Sequence, residues 1–425
     1  MEDKKCLNCY TCEKGVIQSV TAEMFQKARL EGNIPPEWFK DTDCAECYAC
    51  EKGYTKGPGN NLPVSTYFIF LTNECNLRCD YCYATKVPMI MSDETIEQVK
   101  TFLTKSEDLR LGEHELNIQF FGGEPTLRWN SLEKFVREFS RDYESLYGRK
   151  IKWGMTTNGT LLTEDRLKFL KDHDLKPLLS LDGRRETHNC HRKTVTGSGS
   201  FDLIPLDMIL KYFPDIEIRP TITPETARGW AEDLLWFHSH GVYAVATEVA
   251  YEADWSPVSF LDARKMYEEL ADIYVERRTS GQKVWMKFID DGLVALGNQE
   301  QTGHVCGIAR GIAAIDSCGK LYACQRYASM SDPNLAIGDI WKGFEEHKLA
   351  ETQSLKREDM SPQVGSCRNC VAKWRCRGGC NAMNFQTCGD RKIILENHCR
   401  FQQMWSEISL VAMARTGELW GKRYK

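Results

Sequence analysis

From residue 66 to about residue 250 the apolar positions switch repeatedly between two spacings. Short apolar runs with strand character fall at 67–72, 116–121, 151–157, 175–181, 216–222 and 244–249. Amphipathic stretches at helical spacing follow them, over 93–106, 131–146, 201–213 and 225–240, with one more opened by Thr163. Thr163 can cap a helix through its side-chain oxygen, and Glu164 and Asp165 suit the positive end that follows. Six strand–helix units of this length predict an α/β fold in which a parallel sheet winds into a barrel or partial barrel. Functional residues then belong at the C-terminal ends of the strands. Helical spacing resumes over 259–278 and 283–296, up to a boundary near Glu300. A last helix is predicted after Phe401, ending near Gly417 and packed on the barrel.

The two ends of the chain lack this alternation. Near the start, Cys6-Leu7-Asn8-Cys9-Tyr10-Thr11-Cys12-Glu13-Lys14-Gly15 returns as Cys44-Ala45-Glu46-Cys47-Tyr48-Ala49-Cys50-Glu51-Lys52-Gly53. A short helix is predicted over 21–31, broken by Pro35-Pro36, and 56–63 reads as a linker. So small a segment has little core and calls for a metal staple, an iron–sulfur cluster or zinc. Beyond Glu300 the composition shifts to cysteine, glycine and arginine. Three regions result: a cysteine-repeat segment over 1–64, the barrel over 65–300 and a cysteine-rich region over 301–425.

Composition narrows the class. The chain has 425 residues, 42% hydrophobic and 27% charged, which suits a globular protein with a sizeable core. A net charge of −5 offers no general attraction to nucleic acid or to an anionic membrane. No apolar run approaches the roughly eighteen residues of a spanning helix. The start, Met1-Glu2-Asp3-Lys4-Lys5, is unlike a secretory signal, so a cytoplasmic location is expected. Nineteen cysteines in a reducing compartment argue for metal rather than disulfides. Most are two, three or five residues apart, as metal ligands are.

One stretch organises the rest. Cys75-Asn76-Leu77-Arg78-Cys79-Asp80-Tyr81-Cys82 follows the first strand and carries three thiols at C-x3-C-x2-C. Thiolates suit iron–sulfur clusters and zinc. Three of them on a four-iron cluster leave one iron open for chemistry, whereas a zinc site would lack its fourth ligand. After the second strand comes Gly122-Gly123-Glu124-Pro125, after the third Thr157-Asn158-Gly159, and on the fourth Ser180-Leu181-Asp182-Gly183. Each is an ordinary turn alone. Their order at successive strand ends is far more specific. Paired glycines let a backbone approach a ligand, and Glu124 can accept from an ammonium group.

These motifs together resemble the radical S-adenosylmethionine (SAM) enzymes, over residues 66 to about 250. The resemblance implies a four-iron cluster on Cys75, Cys79 and Cys82, with SAM chelating the fourth iron. It implies that Gly122, Gly123 and Glu124 hold the methionine amine and that Ser180 contacts the ribose, with Asn158 nearby. Arg192, in Glu186-Thr187-His188-Asn189-Cys190-His191-Arg192, falls where the family's arginine holds the SAM carboxylate, a pairing that guanidinium geometry favours. Tyr81 matches the aromatic whose backbone lies near adenine. In that family an electron from the cluster splits SAM to a 5′-deoxyadenosyl radical, which takes a hydrogen atom from an unreactive C–H bond.

The cysteines after Glu300 resemble a SPASM domain, an extension that binds two auxiliary four-iron clusters. By that resemblance Cys367, Cys370, Cys376 and Cys399 hold one, and Cys306, Cys324 and Cys380 the other. Cys318 is a candidate fourth ligand for the second; substrate or an open position is the alternative, and zinc ribbons are the other reading of the spacing. Enzymes with this arrangement mostly modify peptides or proteins, drawing electrons from a donor such as flavodoxin or ferredoxin. One branch matures anaerobic sulfatases and carries an aspartate base after the second SPASM cysteine. Here that position is Gln325, which cannot take a proton. The segment resembles the peptide maturases more closely, so a thioether or other crosslink in a ribosomally made peptide is expected, with formylglycine formation as the alternative.

Overall fold

The computed structural model describes residues 64–110, 115–297, 306–363 and 365–417, together with a two-stranded antiparallel pair, Lys5–Cys6 with Thr42–Asp43. The expected metal site on Cys9, Cys12, Cys44, Cys47 and Cys50 lies outside the described residues, as do the linker and the boundary near Glu300. Cys6 ends the first strand of that pair.

Seven parallel strands form the barrel sheet in sequence order. They are β1 (Thr66–Phe70), β2 (Asn117–Phe121), β3 (Lys152–Thr157), β4 (Leu175–Leu179), β5 (Glu217–Ile218), β6 (Ala244–Val245) and β7 (Trp285–Met286). Among the described residues the sheet does not close, so the fold is a partial barrel. β8 (Ile312–Ile315) pairs parallel with the free side of β1, then turns antiparallel through β9 (Lys320–Tyr322), β10 (Gly338–Asp339) and β11 (Gly343–Phe344). The cysteine-rich region therefore extends the barrel's own sheet.

The helices follow the apolar spacing. In α2 (Trp129–Tyr147) the buried side chains Trp129, Leu132, Phe135, Val136, Phe139 and Tyr143 recur every three or four residues on one face. That face meets the sheet where Phe120 stacks on Trp153 at 5.8 Å and Phe135 meets Trp153 edge-on. Gly148, at φ 63°, ends the helix in a left-handed cap that donates to the Glu144 carbonyl. The predicted tail helix is α12 (Glu396–Thr416), seated on the long α7 (Pro257–Thr279) through Phe401, Trp405, Tyr267 and Phe260. Half-buried Arg375 stitches this end together, donating to the Phe288 carbonyl at 2.7 Å and Ser409 Oγ at 2.9 Å.

Two predicted elements, one strand and one helix, are interrupted by proline. Pro220 has no N–H, so the run 216–222 breaks into β5 and a second pair, Thr221–Ile222 with Glu248–Val249. Pro205 likewise divides 201–213 into a 3₁₀ turn (Phe201–Leu203) and a helix (Leu206–Tyr212). Strand β7 lies inside a stretch whose spacing predicts only helix; it is two residues long, below what periodicity can register.

Candidate active site

β1 ends at Phe70, and the chain crosses the top of the barrel as the cysteine loop. Two neighbours grip it. On the β2 side, Gly123 N–H donates to the Thr72 carbonyl at 3.1 Å and Glu124 N–H to the Glu74 carbonyl at 2.8 Å. A Cβ on Gly123 would stand 1.9 Å from the Glu74 carbonyl oxygen; one on Gly122, at φ +123°, 2.3 Å from that of Thr72. What the paired glycines admit is thus the loop's own backbone. On the far side Arg78 N–H donates to the Lys193 carbonyl at 2.7 Å and Asp80 N–H to that of His191 at 3.2 Å.

Cys75 and Cys79 are half-buried in this loop and Cys82 is exposed. Leu77 N–H points at Cys75 Sγ at 3.4 Å, and Asn158 Nδ2 approaches it at 4.0 Å. Burial pushes Cys75 up to about 11, with Glu124 and Cys79 adding to the rise. Cys79 is raised by burial too, with Asp182 and Cys82 adding and Arg192 opposing. Among the described residues no three Cys, His, Asp or Glu side chains converge as a single metal ion would require. Thiols that share one loop and feel one another's charge fit a cluster, where each sulfur meets a different iron.

Glu124 is fully buried and heavily engaged. Its Oε1 accepts from Thr126 N at 3.1 Å, Thr126 Oγ1 at 2.6 Å and Thr157 Oγ1 at 2.8 Å, while Oε2 accepts from Asn158 N at 2.8 Å. The carboxylate therefore locks the ends of β2 and β3 together, and only Oε2 keeps capacity for an ammonium donor. Asn158 extends the link, donating from Nδ2 to Asn76 Oδ1 at 3.0 Å. Ser180, half-buried, is fixed by its N–H to the Thr157 carbonyl at 2.9 Å.

A hub absent from the predicted site lies beside the loop. Asp182, 1% exposed, accepts from Arg192 Nη2 at 2.9 Å and the Thr221 N–H at 2.9 Å through Oδ1, and from the Tyr81 hydroxyl through Oδ2. The Arg192 guanidinium lies over the Tyr81 ring at 5.4 Å, and its Nε is buried without a partner. The predicted carboxylate-binding arginine and the predicted adenine-side aromatic thus share one aspartate. Its sign in the sequence was the Asp-Gly turn after the fourth strand.

Behind the hub, Asp182 N–H approaches His188 Nδ1 at 3.4 Å, and His188 Nε2 meets Ser200 Oγ at 3.0 Å. The ring is neutral: burial, with Arg192 adding, holds His188 down to about 4. Burial likewise holds His398 to about 4. Both groups would titrate near 6.5 when unfolded, so below that pH the unfolded chain binds more protons. Stability should fall by ~1.4 kcal/mol per pH unit per histidine between about 6.5 and 4. Thermal melts at pH 7 and pH 5 check this, and a flat profile would contradict it.

The C-terminal thiols sort into two sets. Burial pushes Cys324 up to about 12 and Cys306 to about 11, and in each case the neighbouring Cys380 adds to the rise. Cys399 is raised to about 12 by burial and by Cys376, Cys367 and Cys370. Cys318 belongs to neither set: it is exposed in the β8–β9 turn, where the charges acting on it are Asp316 and Lys320. Arg326 joins this region to the loop. Its guanidinium covers the Tyr83 ring at 4.3 Å, pairs with Glu252, and bonds Gln386, which donates to the Tyr83 carbonyl at 2.9 Å.

Residues 69–232 match the model of the Radical SAM superfamily. Match, fold and strand-end site together define a radical SAM domain over these residues, a domain type that implies a four-iron cluster and SAM, and the chain is an enzyme. It is 26% identical over 349 residues to the cysteine-type anaerobic sulfatase-maturating enzyme of Clostridium perfringens, covering 75% of this chain and 89% of the relative. It is 25% identical over 327 residues to the mycofactocin maturase MftC of Mycobacterium tuberculosis, covering 75% and 78%. The solved structure of anSMEcpe with bound AdoMet and Cp18Cys peptide shares the fold, with a TM-score of 0.68 at 22% identity over 85% of this chain and 100% of that one. Among the described residues no helix is long and apolar enough to cross a membrane.

Proposed function

We propose that this enzyme modifies a peptide or protein, forming a thioether or other oxidative crosslink. Cys75, Cys79 and Cys82 would hold the SAM cluster; Gly122, Gly123, Glu124, Asn158, Ser180, Tyr81 and Arg192 would surround SAM. Bound there, cluster and SAM supply a carbon radical able to take a hydrogen atom from substrate. The observation that carries this reading is the buried, unpaired Arg192 Nε beside the cysteine loop. A buried guanidinium donor without a partner is costly unless a ligand's carboxylate completes it.

The chain's own groups define the rest of the cavity. Ile216 and Ile218 are buried, and by strand alternation Glu217 and Arg219 take the opposite face of the sheet. Arg219 pairs there with Glu248 at 3.0 Å, and Lys287 pairs with the same carboxylate. This charged group is polar enough to hold a peptide backbone. Exposed Cys82 marks where a donor such as flavodoxin or ferredoxin would deliver electrons. Cys306, Cys324 and Cys380, and Cys367, Cys370, Cys376 and Cys399, would hold two auxiliary clusters that take up the electron left on an oxidised product.

Gln325 favours a crosslink over formylglycine, because its amide cannot take a proton and its Oε1 is buried without a partner. Similarity to the sulfatase-maturating enzyme favours the second reading, formylglycine formation. Anaerobically reconstituted protein with reductant and SAM should release 5′-deoxyadenosine; none, with iron fully loaded, would sink the proposal. A Cys-x-Pro-x-Arg peptide then separates the readings, since thiol lost with aldehyde gained selects formylglycine.

A further inference from the structure

We propose that Asp182 is a positioning residue that sets both the direction of Arg192 and the net charge of the pair they form beside the cysteine loop. The inference rests on the SAM reading above and deepens it. Arg192 is 7% exposed, and its only charged hydrogen-bond partner among the described residues is Asp182, at 2.9 Å. A guanidinium this deep needs a counter-charge, since an unpaired buried ion costs several kcal/mol. Asp182 supplies it while tying down Nη2 alone, and so leaves Nε open to a second carboxylate.

The aspartate is itself held hard. Thr221 N–H and the Tyr81 hydroxyl fill its carboxylate, and Trp230 Nε1 donates to its carbonyl at 2.6 Å. Arg192 cannot swing without breaking a network that includes the end of the cysteine loop. Asp182 and Arg192 also act with opposite sign on Cys79. With the two groups paired at 2.9 Å, a cluster beside that thiol would feel an ion pair rather than a lone cation.

Direction and charge can be separated by substitution. In Asp182→Asn the amide oxygen at Oδ1 still accepts from Arg192 and Thr221, and the new NH2 can donate to the Tyr81 oxygen. Orientation is kept while one negative charge is lost. In Asp182→Ala both are lost.

The test uses the full chain, anaerobically reconstituted, with iron content, SAM affinity by equilibrium dialysis, and an EPR-monitored redox titration of the first cluster. Asp182→Asn should bind SAM within about threefold of the parent and shift the midpoint to more positive potential. Asp182→Ala should lose about tenfold in SAM affinity, the equivalent of one ~1.4 kcal/mol charge-assisted bond. A parental midpoint in Asp182→Asn would overturn the charge role. Parental SAM affinity in Asp182→Ala would overturn the positioning role, and if the alanine variant does not fold, a more than tenfold loss in Asp182→Asn overturns the separation itself. Failure of the underlying reading looks different: the parent would lack a four-iron signal that disappears in Cys79→Ser.

Discussion

Gly123→Ala should leave the protein folded but empty its first cluster site, with 5′-deoxyadenosine release falling at least about tenfold. The added Cβ would lie 1.9 Å from the Glu74 carbonyl oxygen, 2.3 Å from its carbon and 2.7 Å from the Asn73 carbonyl oxygen. All three are backbone atoms, so no side chain can rotate away to make room. Overpacking of this kind costs about 1–3 kcal/mol where it can relax. Here relaxation means moving the strand that leads into Cys75. The Gly123–Thr72 and Glu124–Glu74 bonds that seat the loop would open first. Gly154→Ala makes a matched control: its Cβ meets the Gln119 side chain at 2.1 Å, a flexible group that can turn aside. Iron analysis of both variants decides, with only the position 123 variant losing about one cluster's share. Full loading and parental turnover in Gly123→Ala would show that the loop tolerates the shift.

The same glycines show what the sequence could and could not convey. That Gly122 and Gly123 admit a close approach was legible from residue type, but the approaching partner was not, because Glu74 is remote in sequence and meets them only once β1 and β2 lie side by side. The parallel sheet was readable because apolar runs and amphipathic stretches alternate over nearly two hundred residues. β7 was not, since two residues carry no period, and β8 was not, since its partner β1 lies some 245 residues earlier. For Glu124 and Arg192 the residue types pointed to charge recognition. Neither type says that Glu124 would spend most of its lone pairs on Thr126, Thr157 and Asn158, or that Arg192 would share Asp182 with Tyr81. Such contacts are fixed by burial, which gathers polar groups until each is satisfied. The C-terminal cysteines were grouped by resemblance, which spacing alone could not do because the members of each set lie up to some seventy residues apart.

Cys380→Ala should uncouple the enzyme: 5′-deoxyadenosine still forms, while modified peptide falls about a hundredfold or more. Cys380 is half-buried, and Cys306 and Cys324 each feel its charge. Cysteine packs much as a small apolar residue, so alanine here would remove the proposed ligand without opening a large cavity. The first cysteine loop stands on another strand end and keeps its Gly123, Lys193 and His191 anchors. On the proposed role of the trio, radical formation would be spared, and the loss would fall on the step where the product radical must surrender an electron. Loading of this trio should also depend on pH. Burial holds Cys306 at about 11 and Cys324 at about 12, so both are neutral thiols near pH 7 in the metal-free chain. Each must shed a proton to bind iron, and cluster assembly at this site should be more complete at pH 8.5 than at pH 6.5. Iron per chain, 5′-deoxyadenosine and product measured together separate the cases. Parental product yield from Cys380→Ala with one cluster missing would mean that the trio is structural and the electron leaves by another route.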